Sequence, residues 1–182
     1  MSDPAASDPL PQGPLRRISV IGNAGSGKTR LARLLGGRLG LPVIHLDRHF
    51  FLPGWVARPE PDWAAVVARF AGAESWVIDG NHITYFGARH QRADLILWLD
   101  TPVWLSLWRV IRRLVTHYGK VRGDDLPPGC PERFDWEFLV FVATYRQRRG
   151  EIASAMEGAQ GAVIRLRTKR EIAAFLKSLP GD

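Results

Sequence analysis

Several things this chain lacks narrow its reading before any motif is considered. It has one cysteine, Cys130, so no disulfide can form within it, which favours a reducing compartment. No apolar run approaches the roughly 18 residues a membrane-spanning helix needs, and no basic stretch followed by an apolar one opens the chain. The compartment that follows is the cytoplasm, with neither a membrane span nor a secretory signal. Internal repeats are absent, and the five histidines show no metal-ligand spacing. His45 and His49 straddle a strand end, where a spacing of four does not bring side chains to one helical face. Acidic residues are outnumbered, 18 against 25 Lys and Arg, for a net charge of +7. That surplus suits either a nucleic acid or small phosphate-rich ligands, but no nucleic-acid reading motif accompanies it.

What remains is globular: 46% hydrophobic and 24% charged residues, in a length suited to one domain with a real core. Residues 1–15 carry four prolines and few large apolar side chains, and read as a disordered leader. Residues 16–182 are then the single domain. Its most telling stretch is Gly22-Asn23-Ala24-Gly25-Ser26-Gly27-Lys28-Thr29, which fits G-x-x-x-x-G-K-[ST]. Before it, Ile18-Ser19-Val20-Ile21 reads as a buried strand; after it, Leu31, Leu34 and Leu35 have helical spacing. Glycines let such a loop turn several N–H groups toward a phosphate, and the new helix adds its positive end. Lys28 is expected to reach the β- and γ-phosphates and the Thr29 hydroxyl to ligate Mg²⁺, which makes ATP and Mg²⁺ the expected cofactors.

Strand-like runs at 17–22, 43–47, 75–79, 94–100 and 162–167 alternate with helical ones at 28–40, 61–72, 103–117, 133–157 and 169–179. A short helix fits within 80–91. Near-continuous apolar strands alternating with helices predict an α/β fold, a parallel sheet covered on both faces. Thr168 and Glu171 form a capping box. Residues 119–131, rich in Gly and Pro, interrupt two basic helices as a hinge or lid would.

Asp47, Asp79 and Asp100 fall at strand ends, where parallel α/β sheets bind ligands. Each has a plainer reading as the cap of the next turn, and Asp100, before Thr101-Pro102, suits that best. Asp79 is the candidate Mg²⁺ carboxylate. Asp47 is the candidate for binding an acceptor hydroxyl and taking its proton. Trp98, Trp104 and Trp108 read as core. Trp55 and Trp63 follow Asp47 in an aromatic stretch that either stacks on a ligand or folds over itself.

Together these features resemble the P-loop kinases of the adenylate-kinase type, and more closely the bacterial topology modulation proteins, or adenylate-kinase-related kinases. The carrying stretches are GNAGSGKT at 22–29, LPVIHLDRHFFLPGWVARP at 41–59, WVIDGN at 76–81, ADLILWLDTP at 93–102 and GCPERFDWEFL at 129–139. The resemblance implies a three-layer, doubly wound, five-stranded sheet of order 2-3-1-4-5, like that of nucleoside-monophosphate kinases. It implies an acceptor region after strand two and a helical lid spanning about 109–149. Asp79-Gly80 falls where adenylate kinases carry Asp-Gly-Phe-Pro-Arg, but Asn81-His82-Ile83 follows here, so the AMP-binding arginine is missing. Arg89 or Arg92 is the nearby candidate to substitute for it. Arg109 and Arg146 take the places of lid arginines that clamp phosphate.

The activity so implied is phosphoryl transfer from ATP to a small acceptor, either a nucleoside monophosphate or a hydroxyl metabolite. Two alternatives stay open: a DNA-binding topology regulator switched by nucleotide, and a simple NTPase.

Overall fold

The computed structural model describes residues 10–11, 13–82, 85–121 and 126–179. Residues 1–9 and 12 of the leader, and 122–125 of the hinge, lie outside the described residues. Within the leader, Leu10 and Leu15 pack against the core.

Strand β1 (Arg17–Gly22) is apolar on both faces because both are covered. It pairs in parallel with β5 (Trp76–Asp79) on one side and β6 (Leu95–Leu99) on the other. Beyond β5 lies β2 (Val43–His45), and beyond β6 lies β7 (Ala162–Leu166), also parallel. The order β2-β5-β1-β6-β7 is the expected 2-3-1-4-5. The period of two along each strand sorts side chains into two cores. Ile18, Val20, Val77, Leu95, Leu97 and Leu99 meet α1 (Lys28–Leu39) and α8 (Lys169–Ser178). Ile21, Trp76, Ile78, Ile96 and Trp98 meet α3 (Glu60–Gly72), α4 (Phe86–His90) and α7 (Arg149–Met156) on the other face. Each of these fully buried aliphatic side chains contributes about 1.5–3 kcal/mol.

Two elements differ from the sequence reading. The second strand stops at His45, because Leu46–Phe50 turns into the short helix α2; Asp47 therefore stands in a helical first turn and not on a strand. A two-stranded hairpin, β3 (Phe51–Leu52) and β4 (Val56–Ala57), follows it. The single helix expected over 133–157 is broken. It comprises α6 (Trp136–Ala143), a 3-10 turn (Tyr145–Arg148) and α7. Thr144 Oγ1 donates to Val140 O at 2.8 Å, the back-bonding that bends helices, and Asp135 caps α6 by accepting from Phe138 N at 2.9 Å. Helix α5 (Val103–His117) buries Ser106 and Val110 but leaves Trp104 and Trp108 exposed, so these two tryptophans are not core. The capping box forms with a variation: Thr168 Oγ1 accepts from Glu171 N, while Glu171 Oε2 accepts from Arg167 N instead of from the cap residue.

Candidate functional site

The loop 22–27 leaves the carboxyl end of the central strand and is pinned from outside at three points. Gly22 N donates to Asn81 Oδ1 at 3.0 Å, Asn23 Nδ2 to Val142 O at 2.9 Å, and Arg109 to Gly25 O and Ser26 O at 3.0 and 3.3 Å. Occupying the carbonyls of one side from behind turns the N–H groups of the other side inward. Gly25 has to be glycine: at φ +77° its Cβ would stand 2.5 Å from Ser106 O.

Facing the loop is a cavity of about 440 Å³. Gly25, Gly27, Lys28 and Thr29 form one wall; His45, Asp47 and Asp79 stand at the sheet's edge; Phe51 and Trp55 come from the hairpin. Arg113, Glu132, Arg133, Asp135 and Phe138 close the remaining side. The cavity therefore joins Lys28, Thr29, Asp79 and Asp47, four of the residues singled out in the sequence. Lys28 Nζ donates to Asn23 O at 2.9 Å; burial lowers its pKa, while the charges of Asp47 and Asp79 pull it back up. Asp79 is buried, its Oδ1 3.1 Å from His45 Nδ1, and its Oδ2 has no hydrogen-bond partner among the described residues. An orphaned buried carboxylate oxygen that shares a cavity with the Thr29 hydroxyl suits a hard cation such as Mg²⁺, the other positions falling to phosphate oxygens and water. No group of three His, Cys, Asp or Glu among the described residues could hold a metal by itself. Asp47, half exposed, has its Oδ1 3.1 Å from His82 Nε2.

The hairpin and the segment 129–131 are joined beside this cavity. Gly54 N donates to Gly129 O and Trp55 Nε1 to Pro131 O, both at 2.8 Å, and Cys130 Sγ to Leu52 O at 3.2 Å. The Arg133 guanidinium lies 5.9 Å from the Trp55 ring. Trp63 instead is buried with Phe50 and His82, folding inward over the stretch's own aromatics, while Trp55 lines the cavity. Below the clasp, Glu132 exchanges backbone bonds with Gly119 and Lys120, and its side chain meets Arg113 Nε at 2.9 Å.

Four readings are corrected by placement. Arg109 lies behind the loop on its carbonyls, not over the cavity. Arg146 lines a separate pocket at the outer edge of the sheet. Asp100 does not cap the next helix and does not line the cavity at the loop; Arg149 holds its Oδ1 and Arg165 its Oδ2. Arg89 is buried, donating to Gly80 O and Asn81 O at 3.0 and 3.1 Å, so it supports the β5 turn and offers nothing to an acceptor; burial lowers its pKa to about 9. The cavity also takes in His45, Glu132, Arg133 and Asp135, none of which the sequence assigned to the site. The last three lie in GCPERFDWEF, where a cluster of charges and aromatics after a Gly/Pro hinge was the available signal.

No family model and no curated protein matches the chain. Solved structures do. Shikimate kinase from Acinetobacter baumannii in complex with shikimate matches at a TM-score of 0.57 and 20% identity, over 90% of both chains. The fold is that of P-loop kinases. A gluconokinase from Sinorhizobium meliloti shares this kinase fold at a TM-score of 0.54 and 18% identity, over 90% of this chain and 93% of that one. Shikimate kinase from Bacteroides thetaiotaomicron does so at 0.54 and 18%, over 90% and 95%. Among the described residues no helix is long and apolar enough to cross a membrane.

Proposed function

We propose that this chain is a Mg²⁺-dependent kinase that transfers the γ-phosphoryl group of ATP to a hydroxyl of a small acceptor. One observation carries the reading: the phosphate loop and Asp47 line the same cavity, beneath a clasp of hairpin and lid. Loop amides and Lys28 hold the donor phosphates, and Arg113 flanks them with Glu132 fixing its guanidinium. Thr29 and Asp79 would hold Mg²⁺, whose charge would neutralise the phosphate oxygens, and His45 aims the Asp79 carboxylate. Asp47 accepts the proton of the attacking hydroxyl, while Phe51, Trp55 and Phe138 keep water out. Arg109 acts as a positioning residue for the loop. Beside it, a groove lined by Arg30, Leu34, Trp108 and Ile172 suits the adenine ring.

A hydroxyl acceptor is favoured over a nucleoside monophosphate. The AMP-binding arginine is missing from the sequence, Arg89 is buried in a supporting role, and Asp47 and Asp135 would repel a second phosphate. The names of the structural neighbours, shikimate kinase and gluconokinase, lean the same way. The finer assignment, to the topology modulation or adenylate-kinase-related group, rests on the sequence stretches given above, and the cytoplasm is the compartment that goes with it.

The test is a panel of hydroxyl metabolites, nucleosides and nucleoside monophosphates incubated with γ-labelled ATP and Mg²⁺. At least one hydroxyl compound should become labelled, and Lys28→Ala should reduce the rate at least a hundredfold with an unchanged circular dichroism spectrum. Steady ATP hydrolysis that no acceptor stimulates would make the chain a simple NTPase. Full activity in Lys28→Ala would remove the loop from the mechanism.

A further inference from the structure

Where β6 and β7 end lies a second cavity, of about 540 Å³, that shares no lining residue with the phosphate cavity or with the groove beside it. Arg146, Arg149, Arg165 and Arg167 line it against one carboxylate, Asp100. They converge from three places, the 3-10 turn with the start of α7, strand β7, and the cap of α8. Asp100 engages Arg149 and Arg165 and so fixes the floor. Arg146 and Arg167 are exposed, and among the described residues neither side chain makes a hydrogen bond or ion pair. Glu171, the nearest acid along the chain, has its Oε2 bound to the backbone N–H of Arg167. The rim holds Trp104 from the first turn of α5, 71% exposed, a degree unusual for tryptophan and unexplained by the core.

Unengaged guanidiniums on a pre-organised basic floor match phosphate oxygens in geometry and charge. An exposed indole beside them offers a stacking face for a base. We propose that this pocket binds a nucleotide unit, with its phosphate on Arg146 and Arg167 and its base on Trp104. The unit comes either from a single-stranded nucleic acid or from a free nucleotide. The site is separate from the P-loop and does not depend on phosphoryl transfer.

The experiment measures binding of a fluorescein-labelled thymidine octamer by anisotropy across a salt series, with AMP as competitor. It is run on the full chain and on Trp104→Ala, Arg146→Ala, Arg167→Ala and Lys28→Ala. Trp104→Ala should weaken octamer binding about tenfold. Each arginine substitution should lower the slope of log Kd against log salt by about 0.7. Lys28→Ala should leave octamer binding unchanged, which separates this site from the triphosphate cavity. An octamer that binds well above AMP identifies a strand as the ligand. An AMP affinity equal to the octamer's, with the same dependence on the three residues, identifies a free nucleotide. The proposal is overturned if neither probe binds near physiological salt, or if binding ignores all three substitutions while circular dichroism shows them folded.

Discussion

At the scale of single residues, His90 shows how burial sets chemistry. Its ring is buried against Phe86 and shares a hydrogen bond with Ser19 Oγ at 3.2 Å. Desolvation, aided by the charge of Arg89, pushes its pKa down to about 3. In the unfolded chain an imidazole titrates near about 6.5. Between these values the unfolded state binds a proton that the folded state refuses, so stability is full above the unfolded pKa and falls on acidification through the window. The slope is about 1.4 kcal/mol per pH unit. His90→Gln should retain the Ser19 contact and reduce the loss between pH 7 and pH 5 by about 2 kcal/mol. Urea unfolding at both pH values measures it; equal losses in the two proteins would contradict the assignment. None of this was visible in the sequence, where His90 is one histidine among five. Lys28 and Thr29 are the opposite case, because their neighbours along the chain mark them as site candidates without the fold.

At the scale of elements, the clasp between the β3–β4 hairpin and residues 129–131 is the feature with the most at stake. Gly129 sits at φ +81°, and a Cβ there would stand 3.0 Å from Pro53 Cβ and 3.3 Å from its Cα. Gly129→Ala adds a strained backbone, worth about 1–3 kcal/mol, at the point where Gly54 N meets Gly129 O. The closed arrangement should be weakened and the phosphate loop untouched. The KM for the acceptor is expected to rise about tenfold while the KM for ATP stays within twofold of the parent. Parallel changes in both constants would mean that the hairpin and lid do not serve the acceptor side. The sequence announced a hinge here, because Gly and Pro clusters interrupt helices by local chemistry. It did not reveal which loop the hinge would meet. It also overran the helix at 133–157, because a hydrophobic pattern cannot register the turn at Thr144, where the side chain bonds back to Val140 O and a 3-10 turn follows.

At the scale of the whole molecule, the sheet brings together residues far apart in the chain. Asp100 illustrates it: its two oxygens join β6 to Arg149 at the start of α7 and to Arg165 of β7, tying the sheet's edge to the helical layer. Asp100→Asn would leave two arginines short of a charge partner at a buried position, at a cost of about 3 kcal/mol. A fall in the thermal midpoint of roughly 6–12 °C is expected for a domain of this size. A midpoint within a degree or two of the parent would show that the pair contributes little. The proposed phosphoryl transfer should survive, because the cavity at the loop 22–27 does not include Asp100.

The sequence by itself determined the strand–loop–helix at 17–39, the five parallel strands and the aspartate at the end of β5. These depend on neighbours along the chain: apolar runs, glycine in a tight loop and helical periodicity. Tertiary structure alone decided that Asp47 falls in the first turn of a helix, that Arg109 holds the loop from behind and that Arg146 belongs to another pocket. It alone set Glu132 and Arg133 on the same cavity as the loop at 22–27. Which side chains meet across a cavity is set by the order of strands in the sheet and the docking of one loop on another, and no local pattern encodes either.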